Sequence, residues 1–284
     1  MQSAISGTDD ALARHRAAVR ARLLDSNMRR AGPGSISWRI HRHRVVIGAW
    51  GPAILLQFAH PAIAAGVHDH SSFRGGLRAG LRRMFSTVRA MLSITFGDDE
   101  QMLGAAAGIN AIHDRIHGRG YSAHDPELQR WVQATLLEAT LDTYERFVES
   151  VTTQERDRYC AEAAIMEPLL GMPRGTLPRT SAELTSYTRA MLAGGSLTVT
   201  DTSRALAKAV LSPPWWYVAW PAFRPLQLFT IGSLPPAIRT AYGFDWGDRE
   251  ERALKRWTAL IRTSQRLLPR VAREWPIARS GSPA

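Results

Sequence analysis

The sequence is short of the residues that build covalent or metal-clustered scaffolds. Its 284 residues include one cysteine, Cys160. That rules out an intrachain disulfide and any four-cysteine zinc or iron–sulfur centre within one chain. Lysine is nearly absent: Lys208 and Lys255 are the only two, so arginine carries almost all of the cationic side of a formal net charge of +11. The arginines are scattered, the pattern of a solvated basic surface, and no nucleic-acid partner is expected. No Asp, Glu, Lys or Arg occurs from Val45 to Val67, VVIGAWGPAILLQFAHPAIAAGV. A run of that length can span a bilayer. Pro52, Gln57, His60 and Pro61 interrupt it, however, and two buried helices meeting at His60-Pro61 read better. The first 25 residues lack the unbroken apolar core of a signal peptide, so the expected location is cytoplasmic. Period-2 alternation between turn residues is also scarce, which argues against a sheet protein.

Helical patterning fills the space the other signals leave, and the expected fold class is all-α. A basic amphipathic helix over 10–26 precedes the loop RRAGPGS (29–35), and further helices are expected over 77–96, 181–193 and 201–211. Asp98 or Asp99 can cap a helix running to about His117, with a loop over 118–125. Asp125-Pro126 is a helix start, because Asp caps and Pro fits the first turn, and this helix is expected to reach about Ser150. Thr152 and Glu155 form a capping-box pattern opening a helix that stops near Gly171. Residues 212–236, SPPWWYVAWPAFRPLQLFTIGSLPP, stand apart: aromatics between prolines, readable as a proline-pinned core loop, a tunnel mouth or a membrane-touching patch. A last helix is expected over 248–275. The organisation expected is a basic N-terminal helix and loop (1–35), an all-α domain of about ten helices (36–275) and a loose tail (276–284).

All nine histidines lie at or before His124. In INAIHDRIHG (109–118), Ile109, Ile112, His113 and Ile116 share one helical face, so His113 is expected in the interior. There it can be a hydrogen-bonded structural histidine, a metal ligand or a haem ligand. His117, one turn on, suits a helix end facing the dipole. Within 77–96, Arg83 and Thr87 fall beside small or apolar residues. A partly buried guanidinium there needs a salt-bridge partner or an anionic ligand. Asp69, in His68-Asp69-His70, is a candidate acid/base group, ligand or cap. Gln133 shares a side with Leu137, Thr140 and Tyr144, which suggests a buried or pocket-lining amide.

Five stretches carry a resemblance: HPAIAAGVHDHSSF (60–73), LRRMFSTV (81–88), FGDDEQM (96–102), INAIHDRIHGRGYSAHDPELQRWVQATL (109–136) and ERDRYCAEAAIMEPLLGMP (155–173). In this order they resemble the haem oxygenase domain shared by bacterial rubber oxygenases (latex clearing proteins) and the fungal oxygenase of mycophenolic acid biosynthesis. The likeness is strongest over about 50–178 and weaker toward the C-terminus. It implies a helical bundle enclosing a buried pocket for haem b, and oxygenation of a hydrophobic unsaturated substrate, an isoprenoid or lipid-like small molecule or polymer. By position it implies His113 as the axial iron ligand, Arg83 and Thr87 on the opposite, distal side of the haem or holding it, and Asp69 as the carboxylate base. Gln133 falls among the cofactor-contacting positions. Two departures stand out. Ser86 replaces the lysine of the rubber-cleaving enzymes, and Gln133 replaces a histidine found in many relatives.

Two rival readings come from other classes. In one, His113 and His117 share a helix face and, with Asp69 or His70, bind a non-haem metal. In the other, the chain is a basic helical binding protein without catalysis. Peripheral membrane contact through 212–236 fits either the first reading or the last.

Overall fold

In the computed structural model residues 2–70, 76–212 and 216–279 are described, side chains excepted at 2–9, 76–84 and 216–222. Among the described residues the regular structure is helical apart from one short hairpin. Its elements are α1 (Gln2–Ser26), α2 (Ile36–His41), a 3-10 helix (Arg44–Ala49), α3 (Trp50–Phe58), α4 (Pro61–His70), α5 (Gly76–Phe96) and α6 (Asp99–His113). The hairpin follows as β1 (His117–Gly118) and β2 (Tyr121–Ser122), antiparallel, with His117 opposite Ser122. Then come α7 (Pro126–Phe147), α8 (Thr153–Ala163), α9 (Met166–Leu170), α10 (Ser181–Ala193), α11 (Asp201–Leu211) and α12 (Trp216–Gly232). The series ends with α13 (Pro236–Tyr242), α14 (Asp248–Leu267), α15 (Arg270–Arg273) and α16 (Pro276–Arg279).

Caps decide several starts as the local chemistry dictates. The Asp98 carboxylate accepts from Gln101 N at 2.7 Å, and the Gln101 amide oxygen accepts from Asp98 N at 3.1 Å. Asp125 accepts from Glu127 N at 2.9 Å with Pro126 in the first turn. Thr152 and Glu155 exchange the same reciprocal pair of bonds. Each satisfies amide donors that a helix start leaves open.

Helix α7 is the centre of the core. Its Ala134, Leu137, Leu141 and Tyr144 pack with Ile36, Ile40 and Val46 on one side and with Tyr159 and Leu184 on another, while Trp131 packs toward α3, α11 and α13. Helix α6 is held separately by α1, α5 and α9. Val19, Met102, Leu103, Ala106, Ile165 and Leu169 form that cluster. Buried Asn110 clamps it, its amide donating to Ala106 O and Leu169 O, both at 2.8 Å.

The uncharged run folds as two helices bent by 106° at residues 59–60, as the prolines required, and among the described residues no single helix is long and apolar enough to cross a membrane. Side chains and backbone from far along the chain close the end of α3. Tyr242 OH donates to Leu55 O at 2.7 Å, Trp131 Nε1 to Leu56 O at 3.3 Å, and Thr198 N to Ala59 O at 2.8 Å.

Several expected boundaries are corrected. Helix α6 stops at His113, not His117, and Ile112, expected inward, is 55% exposed. The helix from Thr153 breaks at 164–165, before α9 closes on Gly171 with a left-handed φ of +76°. The last long helix ends at Leu267, because Pro269 has no amide to continue it. These breaks, with the unanticipated helices α2, α12, α13 and α16, raise the helix number above ten. Among its described residues the 212–236 segment is not a loop: α12, with Pro221 and Pro225 inside it, fills most of it, and it runs to the start of α13. The aromatics at 215–220 lie outside the described side chains, whereas Phe229 is buried against Phe147 and Leu254. The expected tail at 276–284 begins as α16, with Ala278 buried against Trp38 and Phe96.

Candidate functional site

His113 is the last residue of α6, placed there by the Asn110 clamp one turn earlier. Its Nδ1 is buried without a hydrogen-bond partner. Burial first, then the neighbouring His124, pushes its pKa down to about 4 against the pull of Asp114. The imidazole is therefore neutral near pH 7, the form able to ligate a metal. The His124 ring packs edge-on against it, centroids 5.8 Å apart.

Asp114 caps the helix and holds two imidazoles at once, His124 Nε2 on Oδ1 and His15 Nε2 on Oδ2, both at 2.7 Å. Burial opposes ionisation of this carboxyl, but the bonds from His124 and His15 outweigh it and hold its pKa below the usual range. A bridge thus runs from α1 through Asp114 to the ring that packs on His113.

The hairpin carries a second cluster. Tyr121 OH donates to Asp69 Oδ2 at 2.7 Å, and His70 Nε2 lies 3.1 Å from both Tyr121 OH and His117 O. Asp69 raises the Tyr121 pKa through this bond. Two glycines make room for the Tyr121 ring: a Cβ on Gly118 would stand 2.5 Å from its hydroxyl, and one on Gly66 would stand 3.3 Å from its edge. Beside it opens a cavity of about 530 Å³ lined in part by His60, Ala62, Ala65, Arg119, Tyr121 and Ser196.

The anticipated residues are placed as follows. His113 is half-buried at the end of α6 with its Nδ1 enclosed, so the expected interior placement holds only in part. Asp69 is an exposed residue in the last turn of α4, tied to Tyr121. Thr87 is exposed on α5, and the side chain of Arg83, one turn earlier, lies outside the described set. Gln133 is half-buried on α7. His117 is in the hairpin and not at a helix end, so His113 and His117 do not share a helix face. Among the described residues no group of three or more His, Cys, Asp or Glu side chains could hold a metal ion. The nine histidines do not converge. His41 contacts Tyr159 and His43 contacts Tyr144 on another side of the core.

Tyr121, His124, Asp114 and His15 were not singled out from sequence. Tyr121 and His124 stand inside the stretch GYSAHD, between two histidines and a helix cap, and that density of polar side chains was the available signal. Nothing local marks His15, which is 99 residues from its partner.

A single imidazole with an unpartnered buried nitrogen fits a group needing one axial protein ligand. Elsewhere on α5 and α6, a Cβ on Gly108 would meet nothing within 4 Å, and the apolar side chains of Phe85 and Ile112 are exposed.

Comparison with known proteins gives the family. Two curated relatives, uncharacterized proteins of Mycobacterium bovis and Mycobacterium tuberculosis, are each 23% identical over 228 residues, covering 76% of this chain and 87% of theirs. No solved structure is significantly similar. The family pattern described as "ER-bound oxygenase mpaB/B'/Rubber oxygenase, catalytic domain" matches residues 38–263, which takes in α3 through most of α14 and the clusters around His113 and Asp69 except His15. The chain belongs to this family of oxygenase catalytic domains.

Proposed function

We propose that the protein is a haem b-dependent oxygenase acting on a hydrophobic unsaturated substrate of the isoprenoid or lipid type. The observation that carries the reading is His113: a neutral, half-buried imidazole with an unpartnered Nδ1. His41, His43 and His60 also have an unpartnered Nδ1, and the resemblance over 109–118, within the region matched by an oxygenase family, is what singles out His113. When bound, haem supplies the redox chemistry toward dioxygen. His113 would hold the haem iron through its imidazole, with His124 packed on that ring and Asp114 fixing His124. Arg83 and Thr87 supply a cation and a hydroxyl on α5, suited to a haem propionate or the distal side. Asp69 is the carboxylate that takes a proton from substrate, and the Tyr121 hydroxyl orients it by donating to one oxygen. Gln133 contributes an amide that donates and accepts hydrogen bonds but does not titrate, unlike the histidine of many relatives. The rival non-haem reading has lost its geometric basis, because α6 ends before His117.

The test is the visible spectrum of purified protein, before and after haem reconstitution. A Soret band that is lost or shifted in His113→Ala and unchanged in His117→Ala is expected. No Soret band in the wild type after reconstitution, or an identical one in His113→Ala, refutes the assignment.

A further inference from the structure

The C-terminal end of the fold carries a surface that the oxygenase reading leaves unused. Between Glu251 and Glu274 the chain has seven arginines and lysines and no acidic residue. Among the described residues, only Lys255 and Arg270 of these seven reach a carboxylate, at 3.8 Å to Glu251 and 3.9 Å to Glu274. Helix α14 turns Leu254 and Ile261 inward onto Phe147 and Phe229. Its opposite side is Arg252, Arg256, Arg262 and Arg266, all exposed. Along one edge of that basic face runs an aliphatic ridge. Leu260 is 57% exposed and Leu267 79% exposed, and being seven residues apart they stand on the same side of the helix. Leu268, at 41%, and Val271, at 58%, extend the ridge past the end of α14 into α15.

We propose that this face of α14 and α15 docks on an anionic lipid bilayer, with the arginines at the headgroups and the leucine ridge at the acyl boundary. Charge complementarity requires an anionic partner, since the face holds a run of cations with almost no internal neutralisation. The ridge selects the kind of partner. A nucleic-acid backbone or an acidic protein loop would satisfy the arginines and leave four exposed aliphatic side chains unused. A bilayer interface takes both, as amphipathic helices lying in the interfacial plane do. The surface is separate from the His113 and Asp69 clusters, and the inference does not depend on haem.

Co-sedimentation of the full chain with vesicles of phosphatidylcholine alone, or of phosphatidylcholine mixed with phosphatidylglycerol, tests this. Capture by the mixed vesicles and not by the neutral ones is expected. Arg262→Gln with Arg266→Gln should lower the partition coefficient about fivefold per arginine, and Leu260→Ser with Leu267→Ser about tenfold for the pair. Far-UV circular dichroism should be unchanged, and Leu267→Ser alone serves if the double variant is less stable. Any of four results overturns the proposal: no capture by mixed vesicles; equal capture by neutral vesicles; wild-type capture by the leucine variants; or tighter binding to duplex DNA than to mixed vesicles. A concentration-dependent dimer broken by the leucine variants, without vesicle capture, would assign the face to a second copy of this chain and also overturn it.

Discussion

Glu167 is almost fully buried, 1% exposed, in the helix that holds α6 in place. One carboxylate oxygen accepts from Leu177 N at 2.7 Å; the other accepts from Gly175 N at 3.2 Å and from the Arg179 guanidinium at 2.6 Å. One side chain thus pins the loop after α9. Glu167→Ala leaves the buried Leu177 amide without an acceptor, which costs about 1–3 kcal/mol. The Arg179 side chain is 34% exposed, so water recovers most of its loss, and that contribution is about 1 kcal/mol. The vacated methylenes add about 1 kcal/mol. The sum is about 4 kcal/mol, or a fall in melting temperature of about 8 °C for a chain of this size. Glu167→Gln keeps an acceptor for Leu177 and loses only the charge, so about 1–2 kcal/mol and about 3 °C are expected. Urea and thermal unfolding followed by near-UV circular dichroism give both numbers. Because α9 receives the Asn110 clamp, amide exchange over 109–113 should rise in the alanine variant. The reasoning fails if the two variants are equally destabilised, or if both lie within about 1 kcal/mol of wild type.

His41 and His43 each have a pKa pushed down to about 4, chiefly by burial. Both are lower folded than unfolded, so the unfolded chain binds more protons between pH 6.5 and 4. Their contribution is full above pH 6.5 and is lost as pH falls through 4. The pH dependence of unfolding should show uptake of about two protons from these residues, reduced by about one in His41→Gln. At Gly51 a Cβ would collide with the side chain of buried Thr230. Gly51→Ala should cost about 1–3 kcal/mol, and Thr230→Ala in the same chain should recover part of it in a double-mutant cycle. The thiol of buried Cys160 is pushed up to about 11, first by burial, so it should resist a thiol reagent in the native protein and react fully in denaturant.

What could be read from sequence was what short-range chemistry controls. Asp98, Asp125 and Thr152 cap helices because the bonds they make span two or three residues, and the bend at His60-Pro61 follows from the missing proline amide. The end of α6 was hidden for the same reason. No proline or glycine stands between His113 and His117, so the apolar repeat ran on, whereas the chain turns there to form the hairpin and leaves Ile112 outside. The prolines of 212–236 misled in the opposite direction: Pro221 and Pro225, four apart, are carried within α12. At the site, periodicity anticipated the partial burial of His113 but turned Ile112 the wrong way. Its surroundings depend on contacts across the fold: His15 from α1 on Asp114, and Tyr121 of the hairpin on Asp69. No local pattern encodes such partners. Tyr121 and His124 were in plain view but carried no spacing rule.

The closure of α3 sets a schedule for synthesis. Val45–Val67 leaves the ribosome as an uncharged stretch long enough to engage a membrane-insertion machinery. The groups that seal the end of α3 arrive much later, Trp131 75 residues after Leu56 and Tyr242 187 residues after Leu55. At roughly 5–20 residues per second, the last of them follows by about 10–40 s. Through that interval the nascent chain displays an apolar run, already bent at its proline, whose α3 carbonyls still lack their partners, which makes this segment a candidate for shielding by a chaperone.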